Sequence, residues 1–413
     1  MDSMDHNDRA ITSLVVLSHS LVHTYEFAIP IFIPVWLAQF DATAAFVGGT
    51  VTVGLALYGI GSLPSGILAD RVGSQPLLVG CLVGMGIAFV GVSAAPNLPV
   101  LAVVLAIWGA AASVHHPAGL TLITKGANTR GDVFAYHGMS GNIGTAVGPL
   151  LATLLLVVFR DQWRLVALVL ALPALAGAIL AARIDIDETA AVGAVTDGGQ
   201  VDTGVESMDE FIETSKLLFA SAFVIVFGMV MSYGLYYRGS LTFLPELFAG
   251  FSAIQPIQAF GATFEPGNYV FAGLLAMGIL GQYIGGKLTD RVPVEVGLIT
   301  GFIALALLAI GYLPAANAGL GPFLVLSAVF GFVLFYIQPF YQASVAEYTP
   351  PAARGLSYGF TYLGDFGVGA LAASLAGAVL TYFSPLVLFA LLAVFAVLGG
   401  GFSAYLFMRA SPE

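Results

Sequence analysis

The segment "HSLVHTYEFAIPIFIP" places His19, His23 and Glu26 inside the first long apolar run of the chain. Imidazole titrates near neutral pH, and a buried carboxyl can be tuned to exchange protons there, so these residue types suit proton transfer. Spacings of four and three residues, at about 100° per helical residue, put all three on one narrow face. An ionised group at the centre of a bilayer costs at least about 2.5–3.5 kcal/mol, so such a face must turn to partners or to a water-filled cavity. His115, His116 and His137 extend the set, and only His6 of the six histidines falls outside an apolar run. The H-x-x-x-H spacing also has the geometry of metal ligands, with His19, His23 and Glu26 as the ligand face. Arg238, in "YGLYYRGSLTFLPELF", is the one basic side chain deep in an apolar run of the second half. Aligning Pro34 with Pro245 sets Arg238 opposite Phe27, beside Glu26, so a Glu26–Arg238 pair is expected, with Asp365 as a competing partner. Asn142, Gln338, Tyr341 and Tyr362 offer neutral hydrogen bonds, and Trp36, Tyr233, Tyr236 and Tyr237 offer aromatic walls or interfacial anchors.

The elements that carry these residues are membrane helices. Of 413 residues 58 % are hydrophobic and only 9 % charged, against about 25 % charged in a soluble domain. Apolar runs of spanning length are read at 10–38, 44–69, 74–94, 98–124, 131–158, 164–183, 216–247, 266–288, 294–314, 320–346, 354–382 and 384–408. With the amino end in the cytoplasm, ten of the 13 Lys and Arg residues lie inside, and only Arg160 and Arg164 outside. Both termini are therefore expected in the cytoplasm and the chain in the plasma membrane. A net charge of −11 with few lysines suggests a salt-loving host. The lone Cys81 excludes an intrachain disulfide. Residues 184–215 carry nine acids and no Lys or Arg, which reads as a flexible cytoplasmic linker with a short helix near Met208–Ser215. The expected domains are a six-helix bundle over 1–183, the acidic linker over 184–215 and a second six-helix bundle over 216–413.

The halves repeat. "GSLPSGILADRVG" (61–73) and "GQYIGGKLTDRVP" (281–293) share Gly61/Gly281, Gly66/Gly286, Leu68/Leu288, Asp70/Asp290, Arg71/Arg291 and Val72/Val292, each copy ending the second run of its half. Arg130-Gly131 and Arg354-Gly355 open the fifth and eleventh runs. Repeats in the same order and orientation are related by an axis along the membrane normal. Gly66-x-x-x-Asp70-Arg71-x-Gly73 resembles the loop signature of the major facilitator superfamily, with Ser74-Gln75 where the full signature continues with two basic residues. Gly144-x-x-x-Gly148-Pro149 resembles part of that superfamily's antiporter motif, with Ala135 where another glycine is expected. "HHPAG" and "YHGMSGNIGTAVGPL" are similar to the fosmidomycin-resistance-like efflux branch. The resemblance implies an all-α membrane fold of twelve helices in two parallel bundles. It also implies a gating role for Gly66, Asp70, Arg71, Arg130, Asp290, Arg291 and Arg354, with Asp70 near the eleventh helix and Asp290 near the fifth. The expected function is a secondary transporter working by alternating access, exporting a small organic solute against protons. A metal-ion transporter on the His19/His23/Glu26 face and an oxoanion uniporter are the alternatives. No nucleotide loop, nucleophile–base motif or cofactor signature points to an enzyme, and no resident metal, cofactor or nucleic acid is expected. The partners expected are solute, protons and lipid, with the chain a monomer.

Overall fold

In the computed structural model, residues 4–192, 208–259, 262–350 and 353–410 are described, with Asp70, Met208, Arg354, Gly355 and Ala410 as backbone only. The first half runs α1 (His6–Gln39), α2 (Ala44–Ile60), α3 (Ser62–Val72), α4 (Ser74–Ala94), α5 (Leu98–Ala112), α6 (His115–Gly126), α7 (Arg130–Val158) and α8 (Trp163–Ala181). The second half holds α9 (Met208–Phe219), α10 (Phe223–Leu241), α11 (Leu244–Ala249), α12 (Pro266–Thr289), α13 (Val294–Asn317) and α14 (Leu320–Tyr348). It ends with α15 (Arg354–Tyr362), a π-helical stretch Leu363–Val368, α16 (Leu371–Tyr382) and α17 (Pro385–Ala410). A small antiparallel hairpin, β1 (Ile257–Ala259) with β2 (Ala262–Phe264), lies before α12.

Eleven described helical segments, some of them consecutive elements in line, are long and apolar enough to cross a membrane, or twelve when α9 and α10 count as one bent span. The seventh run, read from sequence as one helix over 216–247, is broken: α9 meets α10 at 87°, and α11 follows as a separate turn. Arg238 and three tyrosines dilute the apolarity of α10, because that crossing faces inward. Crossings two, four and eleven are each built of two helical pieces, α2–α3, α5–α6 and α15–α16. Helix starts are fixed by side chains that take up free N–H groups: Thr43 Oγ1 accepts from Phe46, and Asn97 Oδ1 from Val100. Gly73, at φ 88°, makes the turn between α3 and α4 in a backbone region that side chains resist.

The packing repeats between halves. In the first, α1 pairs with α7, α2 with α5 and α4 with α8; in the second, α10 pairs with the π-helical stretch, α12 with α14 and α13 with α17. Advancing each crossing by six converts one set into the other. The halves meet through α2 against α16 and α7 against α12, a couple that the same operation exchanges. On the face opposite the termini the α2–α16 seam is tight. Ala45 N–H donates to Thr381 Oγ1 at 2.8 Å, Thr52 Oγ1 to the Ala370 carbonyl at 3.1 Å, and Ser374 Oγ to Thr52 Oγ1 at 2.8 Å.

The start of the 184–215 segment is anchored to the bundle rather than solvated. Glu188 accepts the N–H groups of Ser74 at 2.7 Å and Gln75 at 2.8 Å, at the start of α4. Asn7 and Asp187 exchange hydrogen bonds, and Ala191 N–H reaches the Lys125 carbonyl at 3.0 Å. The helix expected near Met208–Ser215 is α9, running on to Phe219; residues 193–207 lie outside the described chain.

Candidate transport site

The site begins with the close approach of α1 and α7. A Cβ at Gly144 would overlap the Ser20 carbonyl, one at Gly148 the Thr24 carbonyl, and one at Gly141 the His19 ring. Glycines at this spacing let two backbones touch. The Gly141, Gly144 and Gly148 run is thus the surface that presses α7 onto α1, and it carries His137 onto His19: the rings stack with centroids 3.9 Å apart and planes 13° apart. α6 supplies His115 and His116 to the same cluster, with centroids 5.0 and 5.2 Å from that of His19.

Hydrogen bonds order the rings. His19 Nδ1 donates to the His137 carbonyl at 2.7 Å. His23 Nδ1 bonds Glu26 Oε2 at 2.7 Å, and its Nε2 faces His19 Nε2 at 3.1 Å. His116 Nδ1 faces the Tyr58 hydroxyl at 3.3 Å. His115 is fully buried with neither ring nitrogen paired among the described residues, and His137 Nδ1 is likewise unpaired. Two nitrogen sets converge closely enough for a cation: His19, His23 and His116, and His19, His115 and His137.

Glu26 and Arg238 form an ion pair across the two halves, 3 % and 4 % exposed. Glu26 therefore meets a guanidinium on one oxygen and His23 on the other. Arg238 also lies over the rings of Tyr237 and Phe366, 5.4 and 5.2 Å from the centroids. Asp365 sits in the π-helical stretch, a local widening of the helix that recurs at functional sites. Its Oδ2 accepts from Tyr341 at 3.0 Å, while Oδ1 has no hydrogen-bond partner among the described residues. Gln338 donates to the Tyr233 hydroxyl at 3.1 Å. Tyr362 packs on His116 and stacks on Phe366.

Other expected residues lie elsewhere. Asn142 is half-buried on α7, with no hydrogen bond to the cluster among the described residues. Trp36 packs in the core against Phe32 and Trp163, and Tyr236 donates to the Leu305 carbonyl, so neither walls the site. Tyr58 and Phe366, which sequence reasoning passed over, stack on each other and pack at a tilt against His116. Of the expected gating residues, Gly66 and Arg71 lie on α3, Arg130 opens α7, and Asp290 and Arg291 follow α12, all toward the face of the termini. α3 packs on α15, where Leu63 lies under Gly359. Asp290 is exposed, without an ion pair to α7 among the described residues; the side chains of Asp70 and Arg354 lie outside the described set.

At the opposite mouth a cavity of about 260 Å³ is lined by residues of both halves, among them Thr153, Asp161, Glu265 and Asn268. Burial pushes the carboxyl of Asp161 up from its ordinary value, and burial followed by the charge of Asp161 does the same for Glu265. Burial and then Glu265 raise Glu246 on α11.

The model of the Major Facilitator Superfamily matches residues 15–364 and again 241–413. The chain belongs to the Major Facilitator Superfamily. A member of this superfamily folds as two six-helix halves, so the six-crossing exchange of packing partners is that fold's internal symmetry. Solved structures agree with the fold. A bacterial homologue of the human lysosomal transporter Spinster, inward-facing and occupied, superposes with TM-score 0.73 at 15 % identity over 98 % of each chain. Its unoccupied form gives 0.74 at 15 % over 100 % of each. A point mutant of the nucleoside transporter NupG gives 0.73 at 14 % over 96 % of this chain and 99 % of that one. No curated protein matches the chain in sequence. The superfamily member is a multi-pass membrane transporter of solutes, not an enzyme.

Proposed function

We propose that this transporter exports a small organic solute in exchange for protons, and that Glu26 carries the coupling proton. The observation behind the reading is the buried Glu26–Arg238 pair, made by α1 of one half and α10 of the other, with His23 on the second carboxylate oxygen. An ion pair that bridges two moving halves has a different energy in each state, and a ligand that favours one state shifts the equilibrium by that difference. Protonating Glu26 would release Arg238 to the solute, and losing the proton would restore the pair. Tyr341, Gln338, Tyr362, Asp365 and the histidines line the same pathway in this reading. Its moving units are 1–183 and 216–413, with 184–215 joining them. Gly66, Asp70, Arg71, Arg130, Asp290, Arg291 and Arg354 work the gate at the face of the termini. From the distribution of Lys and Arg we take that face as cytoplasmic, in the plasma membrane of a salt-loving cell, with the chain acting as a monomer. The similarity of "HHPAG" and the α7 motif to the fosmidomycin-resistance-like branch favours export over uptake. An oxoanion uniporter has less support, because Arg238 is already neutralised by Glu26.

The test is gradient-driven transport in liposomes. Glu26→Gln should abolish accumulation driven by a proton gradient while solute exchange down its own gradient persists. Accumulation by Glu26→Gln with unchanged pH dependence would move the coupling role to Asp365.

A further inference from the structure

The hydrogen bonds around His19 and His23 fix where their protons sit. A carbonyl oxygen only accepts, so His19 Nδ1, 2.7 Å from the His137 carbonyl, carries the hydrogen. The Glu26 carboxylate is ionised in its pair with Arg238, so His23 Nδ1, 2.7 Å from Oε2, carries one too. In two neutral rings this leaves both Nε2 atoms as bare lone pairs, and they face each other at 3.1 Å. Two acceptors do not hold that distance without an electrophile between them. Two nitrogens on one tetrahedral Zn²⁺, each about 2.0–2.1 Å from the metal, stand about 3.3 Å apart. His116 brings a third ring nitrogen, and the three ligand atoms lie within 4.8 Å of one another.

We propose that His19, His23 and His116 form a three-nitrogen site for a borderline divalent transition cation such as Zn²⁺, with Glu26 outside the coordination shell. This goes beyond the transport reading and does not depend on which ion drives transport. Behind two of the ligands stand the partners that orient metal-binding imidazoles: a carboxylate behind His23 and a backbone carbonyl behind His19. The Tyr58 hydroxyl faces Nδ1 of His116, leaving its other nitrogen for the cation. Neutral imidazoles are the ligands such cations prefer. The competing set, His19 with His115 and His137, shares one member and fits less well. Its His19 and His137 rings lie face to face, 13° from parallel, and in-plane lone pairs of stacked rings run side by side rather than converge. In the proposed set the His116 plane stands at 87° to that of His19 and 71° to that of His23, which lets the lone pairs meet. A proton shared between His19 and His23 would relieve the same clash, but it has no use for the third nitrogen.

The test is Zn²⁺ titration calorimetry on the tag-free, chelator-stripped chain in detergent, with Co²⁺ absorption as the readout of coordination. The expected result is one ion per chain. His23→Ala and His116→Ala should each weaken binding at least about tenfold, and Glu26→Gln about 10–100-fold through loss of the outer partner. His137→Ala, which keeps its backbone carbonyl, and His6→Ala should bind as the wild type does. Melting curves for each variant, with His116→Asn as a second substitution at that position, separate loss of ligand from loss of fold. No saturable binding to the wild type would overturn the site and leave the shared proton in its place. Equal binding by folded His23→Ala or His116→Asn would overturn it as well, as would loss of binding in folded His137→Ala. None of these outcomes decides whether Glu26→Gln uncouples transport, which is read in liposomes.

Discussion

Glu26 and Arg238 are worth most to the protein as a pair. Removing one partner of a buried pair strands the other charge and costs about 3–5 kcal/mol, whereas replacing both is often nearly neutral. Arg238→Ala should therefore lower the melting temperature sharply, and Glu26→Gln combined with Arg238→Met should recover most of the loss; additive losses would contradict the pairing. The pair was legible in the sequence, because charge is rare in an apolar run and Pro34 and Pro245 give a register between the halves. The common face of His19, His23 and Glu26 was legible from spacing alone. Tyr58 and Phe366 were not, since an aromatic residue in a membrane helix looks the same whether it meets lipid or a site. Nor were the ring orientations, which depend on a carbonyl of α7 and a hydroxyl of α2.

At the scale of the element, the α1–α7 seam carries the histidines and is sensitive to a single methyl group. Alanine favours a helix interior over glycine by about 0.8–1.0 kcal/mol, so space decides the outcome. A Cβ at Gly138 meets nothing within 4 Å, while one at Gly144 overlaps the Ser20 carbonyl. Gly138→Ala should raise the melting temperature slightly. Gly144→Ala should lower it, by an overpacking cost of about 1–3 kcal/mol. Equal effects at the two positions would mean that the seam is looser than described. The glycine pattern was visible in the sequence as a motif, but its partner was not, because spacing on one helix does not name the helix it touches. The break between α9 and α10 was hidden for a related reason: residues 216–247 read as one apolar run although the chain turns by 87° within it. The acid count of 184–215 likewise gave no hint that Glu188 takes up two N–H groups at the start of α4.

For the whole molecule, carboxyls from both halves gather at the mouth opposite the termini, around the cavity there. Asp161 and Glu265 hold protons more firmly here than they would in water. This form thus binds more protons than one in which both carboxyls are fully hydrated, and raising the pH through the window above the ordinary carboxylate value favours widening of the mouth. The labelling rate of a cysteine placed at Thr153, which lines this cavity, divided by that of a fully exposed control cysteine to remove the thiol's own ionisation, should rise from about pH 5 to about pH 8. In the background Asp161→Asn with Glu265→Gln that dependence should flatten. A relative rate independent of pH in the unaltered mouth would remove these carboxyls from the gate. The repeat and the twelve-crossing architecture were legible, because the bilayer allows few ways to satisfy a backbone. The meeting of Asp161 with Glu265 was not, since it rests on how two halves far apart in sequence come together.

The cross-half ion pair also has a consequence for biogenesis. Chains are made from the amino end, and the first six crossings are synthesised before α10 exists. Until then Glu26 has His23 as a neighbour but no guanidinium, and a lone carboxylate is costly in hydrocarbon. The first bundle must therefore keep this carboxyl protonated or wet at the translocon until Arg238 arrives. Arrival of the seventh crossing then supplies the missing counter-charge, so that this carboxylate of the first half is neutralised by its sister rather than by its own bundle.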